Sequence, residues 1–203
     1  SGPVTIWGTM DQITFDSFLD LYTEKTNVLL NIKGYESFDT VVEKSMHGYN
    51  VNDFELIANE TEALVLDTRN AEDFKNGFIP NSINIGLEGS FAQWVGEMIS
   101  DINQKILLIT YENKEEEAIT RLSRVGYDGV IGYLKGGFEA WTAAHQATDT
   151  IDRKNPDALA LQYSEQPLII DVRKKSEFDS EHIIGALNIP LNQINLHLAR
   201  IPK

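Results

Sequence analysis

The phrase Ala63-Leu64-Val65-Leu66-Asp67-Thr68-Arg69 returns as Pro167-Leu168-Ile169-Ile170-Asp171-Val172-Arg173, and the match continues at a constant offset of 104 residues without a gap. Phe74 meets Phe178, Ile79 meets Ile183, Asn84-Ile85 meets Asn188-Ile189 and Leu87 meets Leu191. An ungapped internal repeat constrains the fold more tightly than composition does, because both copies must build the same supersecondary unit. Each copy reads as a short apolar strand ending in Asp-x-Arg, a polar helical turn carrying Glu/Asp-Phe, and a second short strand.

The first copy runs on. Residues 90–100 place Phe91, Trp94, Val95, Met98 and Ile99 at helical spacing. Lys105-Ile106-Leu107-Leu108-Ile109-Thr110 is a continuous apolar run, the pattern of a parallel strand buried on both faces. Residues 114–125 return to helical spacing through Ala118, Leu122 and Val125, and Gly126 is placed to end that helix. A strand over 129–134 and a helix opening at Gly136-Gly137 complete the series. Alternating strands and helices predict an α/β protein, with a parallel central sheet between two helical layers (α/β/α).

The second copy reaches Lys203, which corresponds to Ile99 of the first. Half a domain cannot cover its own sheet faces, so either a larger parent chain supplies the rest, which is the expectation, or this half packs on the first module or on a second chain. The organisation expected is an N-terminal arm or tail of a preceding domain over 1–50, a complete module over 51–147, a linker over 148–154, and the N-terminal half of a second module over 155–203. Within the arm, Phe15, Phe18, Leu19 and Tyr22 suggest one amphipathic helix, and Tyr35, Phe38, Val41 and Val42 a shorter one. Ser1-Gly2 reads as a remnant of tag cleavage.

With 203 residues, 42% of them apolar, the chain can bury a proper core. A formal charge of -14 disfavours nucleic acid and anionic membrane surfaces as partners. No apolar run approaches a transmembrane span and no leader opens the chain, so the cytoplasm is the default compartment. There are no cysteines, which rules out disulfides and thiolate metal sites. His47, His145, His182 and His197 have no metal-ligand spacing, and no metal or cofactor is expected in this chain.

Leu66-Asp67-Thr68-Arg69, followed by Glu72-Asp73-Phe74 and Gly77-Phe78-Ile79-Pro80-Asn81-Ser82-Ile83-Asn84-Ile85, resembles the first signature of the rhodanese (sulfurtransferase) superfamily. Ile170-Asp171-Val172-Arg173, Glu177-Phe178 and the run from Glu181 to Pro190 resemble it more closely still. Gly126-Tyr127-Asp128 and Leu134-Lys135-Gly136-Gly137-Phe138-Glu139-Ala140-Trp141 are similar to the family's closing segment. A narrower likeness is to proteins that fuse a metallo-β-lactamase-fold domain to two rhodanese-like modules, persulfide dioxygenases among them. It is carried by Gly34-Tyr35-Glu36-Ser37-Phe38-Asp39, Ser90-Phe91-Ala92-Gln93-Trp94, Glu115-Glu116-Glu117-Ala118 and Arg124-Val125-Gly126-Tyr127. In such fusions the resemblance implies a pseudo-rhodanese first module, a sulfur-carrying second one, and an upstream domain holding a metal of unstated identity.

Rhodanese chemistry needs a thiolate at the end of the central strand, in a loop of inward-pointing backbone N–H groups. The resemblance places that position within one residue of Thr110, and Thr110-Tyr111-Glu112-Asn113-Lys114-Glu115-Glu116-Glu117 replaces a loop that the family makes rich in Gly, Arg and Ser. A Thr hydroxyl is too weakly acidic to substitute without a base. The acidic residues 115–117 have a structural reading, stabilisation by the helix dipole with Asn113 and Glu116 forming a capping box. They also have a functional one, repulsion of anions or a docking surface for a neighbouring domain.

Asp67/Arg69 and Asp171/Arg173 are expected to brace the active-site loop as ion pairs rather than to touch substrate. His182 takes the family's usual Gly-His-Ile place with Glu181 for glycine, and reads as structural. Trp94, Trp141 and Phe91 read as core, and Gly136-Gly137 as a turn rather than a phosphate loop. The functional expectation is a non-catalytic scaffold whose partners are the other domains of its parent, with homo-oligomerisation left open. A regulatory interaction module is the alternative, and an anion-binding, phosphatase-like relative ranks last. Carrying the offset forward puts the second module's cysteine near position 214.

Overall fold

The computed structural model describes residues 38–162 and 167–201. The helix expected around Phe15 and the phrase Gly34-Tyr35-Glu36-Ser37 lie outside them. In chain order the elements are α1 (Phe38–Ser45), β1 (Gly48–Tyr49), α2 (Val51–Thr61), β2 (Leu64–Asp67), α3 (Ala71–Asn76), β3 (Ile83–Asn84), α4 (Phe91–Met98), β4 (Ile106–Ile109), α5 (Glu115–Arg124), β5 (Val130–Leu134) and α6 (Gly137–Ala143). The second repeat contributes α7 (Pro156–Gln162), β6 (Ile170–Asp171), α8 (Lys175–Ser180), β7 (Leu187–Asn188) and two 3-10 turns, Leu191–Leu196 and Leu198–Arg200.

Five parallel strands form one sheet in the order β1-β5-β4-β2-β3, which puts β4 in the middle. All four residues of β4 are fully buried, and they alternate between two cores. Ile106 and Leu108 join Phe91, Val95, Ile119 and Leu122, so α4 and α5 cover that face. Leu107 and Ile109 join Phe54, Leu134 and Trp141, so α2 and α6 cover the other. This is the three-layer arrangement the apolar run predicted, since a strand between two helical layers has no polar face to spare.

Between β4 and β5 the register slips at Ile131, with Ile106 opposite Val130 and Leu107 opposite Gly132. Gly132 takes φ +147, and a Cβ there would lie 2.4 Å from the Tyr49 ring and 2.5 Å from the His47 carbonyl. That glycine lets β1 approach the bulged edge. The described part of the expected arm, residues 38–50, is therefore built into this module: β1 closes the sheet and α1 packs on α5.

The linker is strapped down as well. Phe78 and Asp149 exchange backbone hydrogen bonds, the Ile151 amide donates to the Lys75 carbonyl, and the Trp141 indole donates to the Ala147 carbonyl. In the second repeat β6 pairs only with β7 among the described residues, in the register that β2 keeps with β3.

Leu108→Ala should destabilise the protein by about 2–5 kcal/mol, the usual cost of emptying a fully packed leucine site. Urea denaturation followed by circular dichroism checks it, and a loss below about 1 kcal/mol would mean that β4 is not the centre of the core.

Candidate functional site

At the carboxyl end of β2 the chain turns through Asp67-Thr68-Arg69, all three buried. The Arg69 guanidinium forks onto the Asp67 carboxylate, Nε at 3.0 Å from both oxygens and Nη2 at 2.6 Å from Oδ2. The Arg69 amide adds a bond to Oδ1 at 3.0 Å, and Nη2 also donates to the Gly77 carbonyl at 2.8 Å. The Phe138 ring lies 4.2 Å from the guanidinium carbon. Every strong polar group of the pair is thus satisfied, the condition under which a buried charge pair is tolerated. The fork ties the β2–α3 turn to the Gly77 carbonyl after α3 and, through Phe138, to the start of α6. Asn84 completes the turn by donating to the carbonyls of Asp67 and Arg69. The repeat showed Asn84 without showing its role.

Thr110 follows β4 directly and is buried. Its carbonyl approaches the start of α6 so closely that a Cβ on Gly137, which has φ +58, would lie 2.8 Å from it. Thr68 reaches across from β2, its amide and hydroxyl both donating to the Ile109 carbonyl. Tyr111 turns outward: its hydroxyl donates to Asp73 and accepts from the Asn70 amide, linking the β4–α5 and β2–α3 loops. Burial, and then the neighbouring Asp73 carboxylate, push the Tyr111 phenol above its ordinary pKa, so it is a neutral donor at pH 7.

The capping box expected from Asn113 and Glu116 does not form. The Lys114 amide closes a turn on the Tyr111 carbonyl, Asn113 takes φ +63 inside that turn, and Lys114 becomes the N-cap with no side-chain hydrogen bond. A left-handed residue before the cap cannot swing its side chain onto the first helical amides. Of the acidic run, Glu117 is tied to Lys114 and Arg121, and Lys114 first holds its carboxyl below the ordinary value. Glu112 and Glu116 are exposed and Glu115 half-buried. Caps of the expected kind occur elsewhere, at Asn50 onto the Asp53 amide and at Asn70 onto the Asp73 amide.

The second repeat rebuilds the same turn: Arg173 forks onto Asp171 and donates to the Glu181 carbonyl, and Asn188 donates to the carbonyls of Asp171 and Arg173. What differs is cover. The Arg/Asp side chains are 4% and 0% exposed in the first copy but 46% and 11% in the second. His182 stacks on Phe178 and bonds to its carbonyl, as a structural histidine does. Phe91 and Trp141 are core, but Trp94 is 40% exposed, against expectation, because it sits on the outer side of α4.

It lines a cleft of about 1110 Å³ that runs from Thr68, Asn84 and Gly86 past Tyr111 and Lys114 to the linker. Sequence reading missed this cleft, since its walls come from α3, the β3 segment, α4, α5, the strapped linker and Leu191 of the second repeat. Among the described residues no group of His, Asp and Glu could hold a metal, and no helix is long and apolar enough to cross a membrane.

A five-stranded parallel sheet covered on both faces, with its middle strand delivering a short loop to the carboxyl edge beside a repeated Asp-x-Arg turn, defines a class of sulfurtransferase-related α/β modules. The chain belongs to the rhodanese-like domain family, whose model matches residues 50–144 and again 155–203. An uncharacterized protein, BU052, of Buchnera aphidicola subsp. Acyrthosiphon pisum is 34% identical over 94 residues, 45% of this chain and 65% of that protein. The chain thus spans about two thirds of the length of that relative. Thiosulfate sulfurtransferase GlpE of Pseudomonas savastanoi pv. phaseolicola is 28% identical over 87 residues, 42% of this chain and 78% of GlpE. Among solved structures, SseA of Escherichia coli, described as a 3-mercaptopyruvate sulfotransferase, is similar at a TM-score of 0.45 and 19% identity, over 71% of this chain and 74% of that one.

Arg69→Ala leaves Asp67 buried and unpaired and should cost about 3–5 kcal/mol. Arg173→Ala, at the open copy of the same fork, should leave the unfolding midpoint close to that of the parent protein. Paired urea titrations compare the two, and equal losses would refute the difference in cover.

Proposed function

We propose that this chain is a pseudo-rhodanese, a sulfurtransferase-related module that performs no sulfur transfer and acts as a scaffold in a larger sulfur-metabolism protein. The observation that carries the reading is Thr110, which stands at the carboxyl end of the middle strand in a chain without cysteine. Sulfur transfer needs a thiolate that attacks a sulfane sulfur and keeps it as a persulfide while the donor leaves. Thr110 offers a hydroxyl with no base bonded to it among the hydrogen bonds described above, and Glu112, Glu115 and Glu116 follow where an anionic donor would have to approach. The resemblance in residues 34–39, 90–94, 115–118 and 124–127 extends the proposal to a parent of the persulfide dioxygenase kind, in the cytoplasm. There the module would hold an upstream metallo-β-lactamase-fold domain, with its metal, against a sulfur carrier.

The alternative is a rhodanese-fold interaction module with no sulfur chemistry in its parent. It is favoured by the apolar side chains that the second repeat leaves in the open, Ile184 at 84% and Leu196 at 81% exposure. The parent's sequence separates the two readings. A cysteine near position 214, in a Gly- and Arg-rich loop, favours the sulfur carrier, and its absence favours the interaction module.

In a thiosulfate:cyanide assay the chain should show no thiocyanate production above buffer. Thr110→Cys alone should not rescue it, because the acidic loop and the Tyr111 bridge remain. A clear rate from either protein would overturn the scaffold proposal.

A further inference from the structure

In the first module β2 has a strand on each side, β3 and β4. In the second repeat β6 pairs with β7 in the β2–β3 register, and its other edge has no strand among the described residues. The alternation of the backbone shows what that edge offers. The carbonyls of Ile169 and Asp171 accept from the amides of Leu187 and Ile189, so the odd-numbered residues face β7 and Leu168, Ile170 and Val172 face away from it. The counterparts Leu64 and Thr68 donate their amides to the carbonyls of Lys105 and Ile109. The Leu168 and Val172 amides have no acceptor among the described residues. An open edge of this kind is a template for another strand.

Its side chains are apolar too. Leu64 and Leu66 belong to the core under α4 and α5, whereas Leu168 and Val172 are 54% and 41% exposed. Ile183 is likewise exposed where its counterpart Ile79 is buried. Charge indicates the kind of partner. The chain carries -14 in all, yet residues 167–201 balance Arg173, Lys174, Lys175 and Arg200 against Asp171, Glu177, Asp179 and Glu181. Two copies of an acidic chain meet least repulsion through such a neutral segment.

We propose that two copies of this chain join through their β6 edges, antiparallel about a twofold axis at Ile170, into one β7-β6-β6-β7 sheet. In that register Ile170 faces its own mate and Leu168 faces Val172 of the other copy, so every cross-strand pair on that face is apolar. Ile170 exchanges both backbone hydrogen bonds with its mate, and the Val172 amide donates to the Leu168 carbonyl across the axis. The contact uses only the second repeat, so it stands apart from the scaffold proposal.

The test uses the whole chain. Sedimentation equilibrium should give a mass that rises with concentration from one chain toward two. Ile170→Pro removes an amide that faces away from β7, a substitution an edge strand tolerates, and should weaken association about tenfold or more. Because the chain has no cysteine, Ile170→Cys places a lone thiol at the axis, where hydrogen-bonded antiparallel neighbours lie about 5.5 Å apart at Cα, within disulfide reach. Under oxidised glutathione it should cross-link at least about tenfold faster than Ile169→Cys, whose thiol sits on the opposite face and off the axis. Hydrogen exchange at the Ile170 amide of the unaltered chain should slow as concentration rises. The mass of a single chain up to about 0.5 mM, or equal cross-linking of the two cysteine variants, would overturn the proposal. So would an Ile170 amide equally protected at every concentration, the mark of an edge already covered within one chain.

Discussion

The middle strand governs this molecule. Ile106, Leu107, Leu108 and Ile109 lie between two helical layers with no exposure, so each residue must be apolar whichever face it points to. Burying four such side chains is worth about 1.5–3 kcal/mol apiece, a large share of what a marginally stable domain can spare. Its position also decides where function can arise. At its carboxyl end the chain leaves the sheet between β2 and β5, and Thr110 stands there.

The Asp-x-Arg turn shows which parts of the family pattern serve the fold. Asp67 and Arg69 satisfy each other, the turn's own amide and the Gly77 carbonyl, and Phe138 covers them. The second repeat keeps every one of these hydrogen bonds in a much wetter setting. The fork is therefore local geometry that the sequence Asp-x-Arg makes by itself, and its burial is added by β4 and α6. A fork that is buried as in the first copy can be retained with no help from catalysis, because losing one partner would strand a buried charge.

Much of this was legible in the sequence, for identifiable reasons. The β4 run, the helical spacing of Phe91, Val95 and Ile99, and the ungapped repeat are patterns of single elements, and local patterns survive without knowledge of the neighbours. The failures were of two kinds. Asn113 looked like an N-cap by residue type, yet a four-residue turn closed by the Lys114 amide left it in a left-handed conformation that cannot cap. Trp94 looked like core by its helical spacing, yet the cleft that exposes it is walled by elements far apart in sequence, including a linker whose docking depends on the Phe78–Asp149 bridge.

The two halves of the carboxyl edge are packed differently. On one side Thr110 is buried with its carbonyl close against Gly137, and Thr68 bonds to the Ile109 carbonyl beside it. On the other side Tyr111 leans away to Asp73 and Asn70, and the space beyond it opens into the cleft. The side chains of the β4–α5 loop hold its neighbours, Tyr111 the β2–α3 turn and Lys114 the first turn of α5. Those same side chains, Tyr111 and Lys114 with Glu117, form one wall of the cleft. One short loop thus ties the β2–α3 turn to the start of α5 and at the same time walls the cleft.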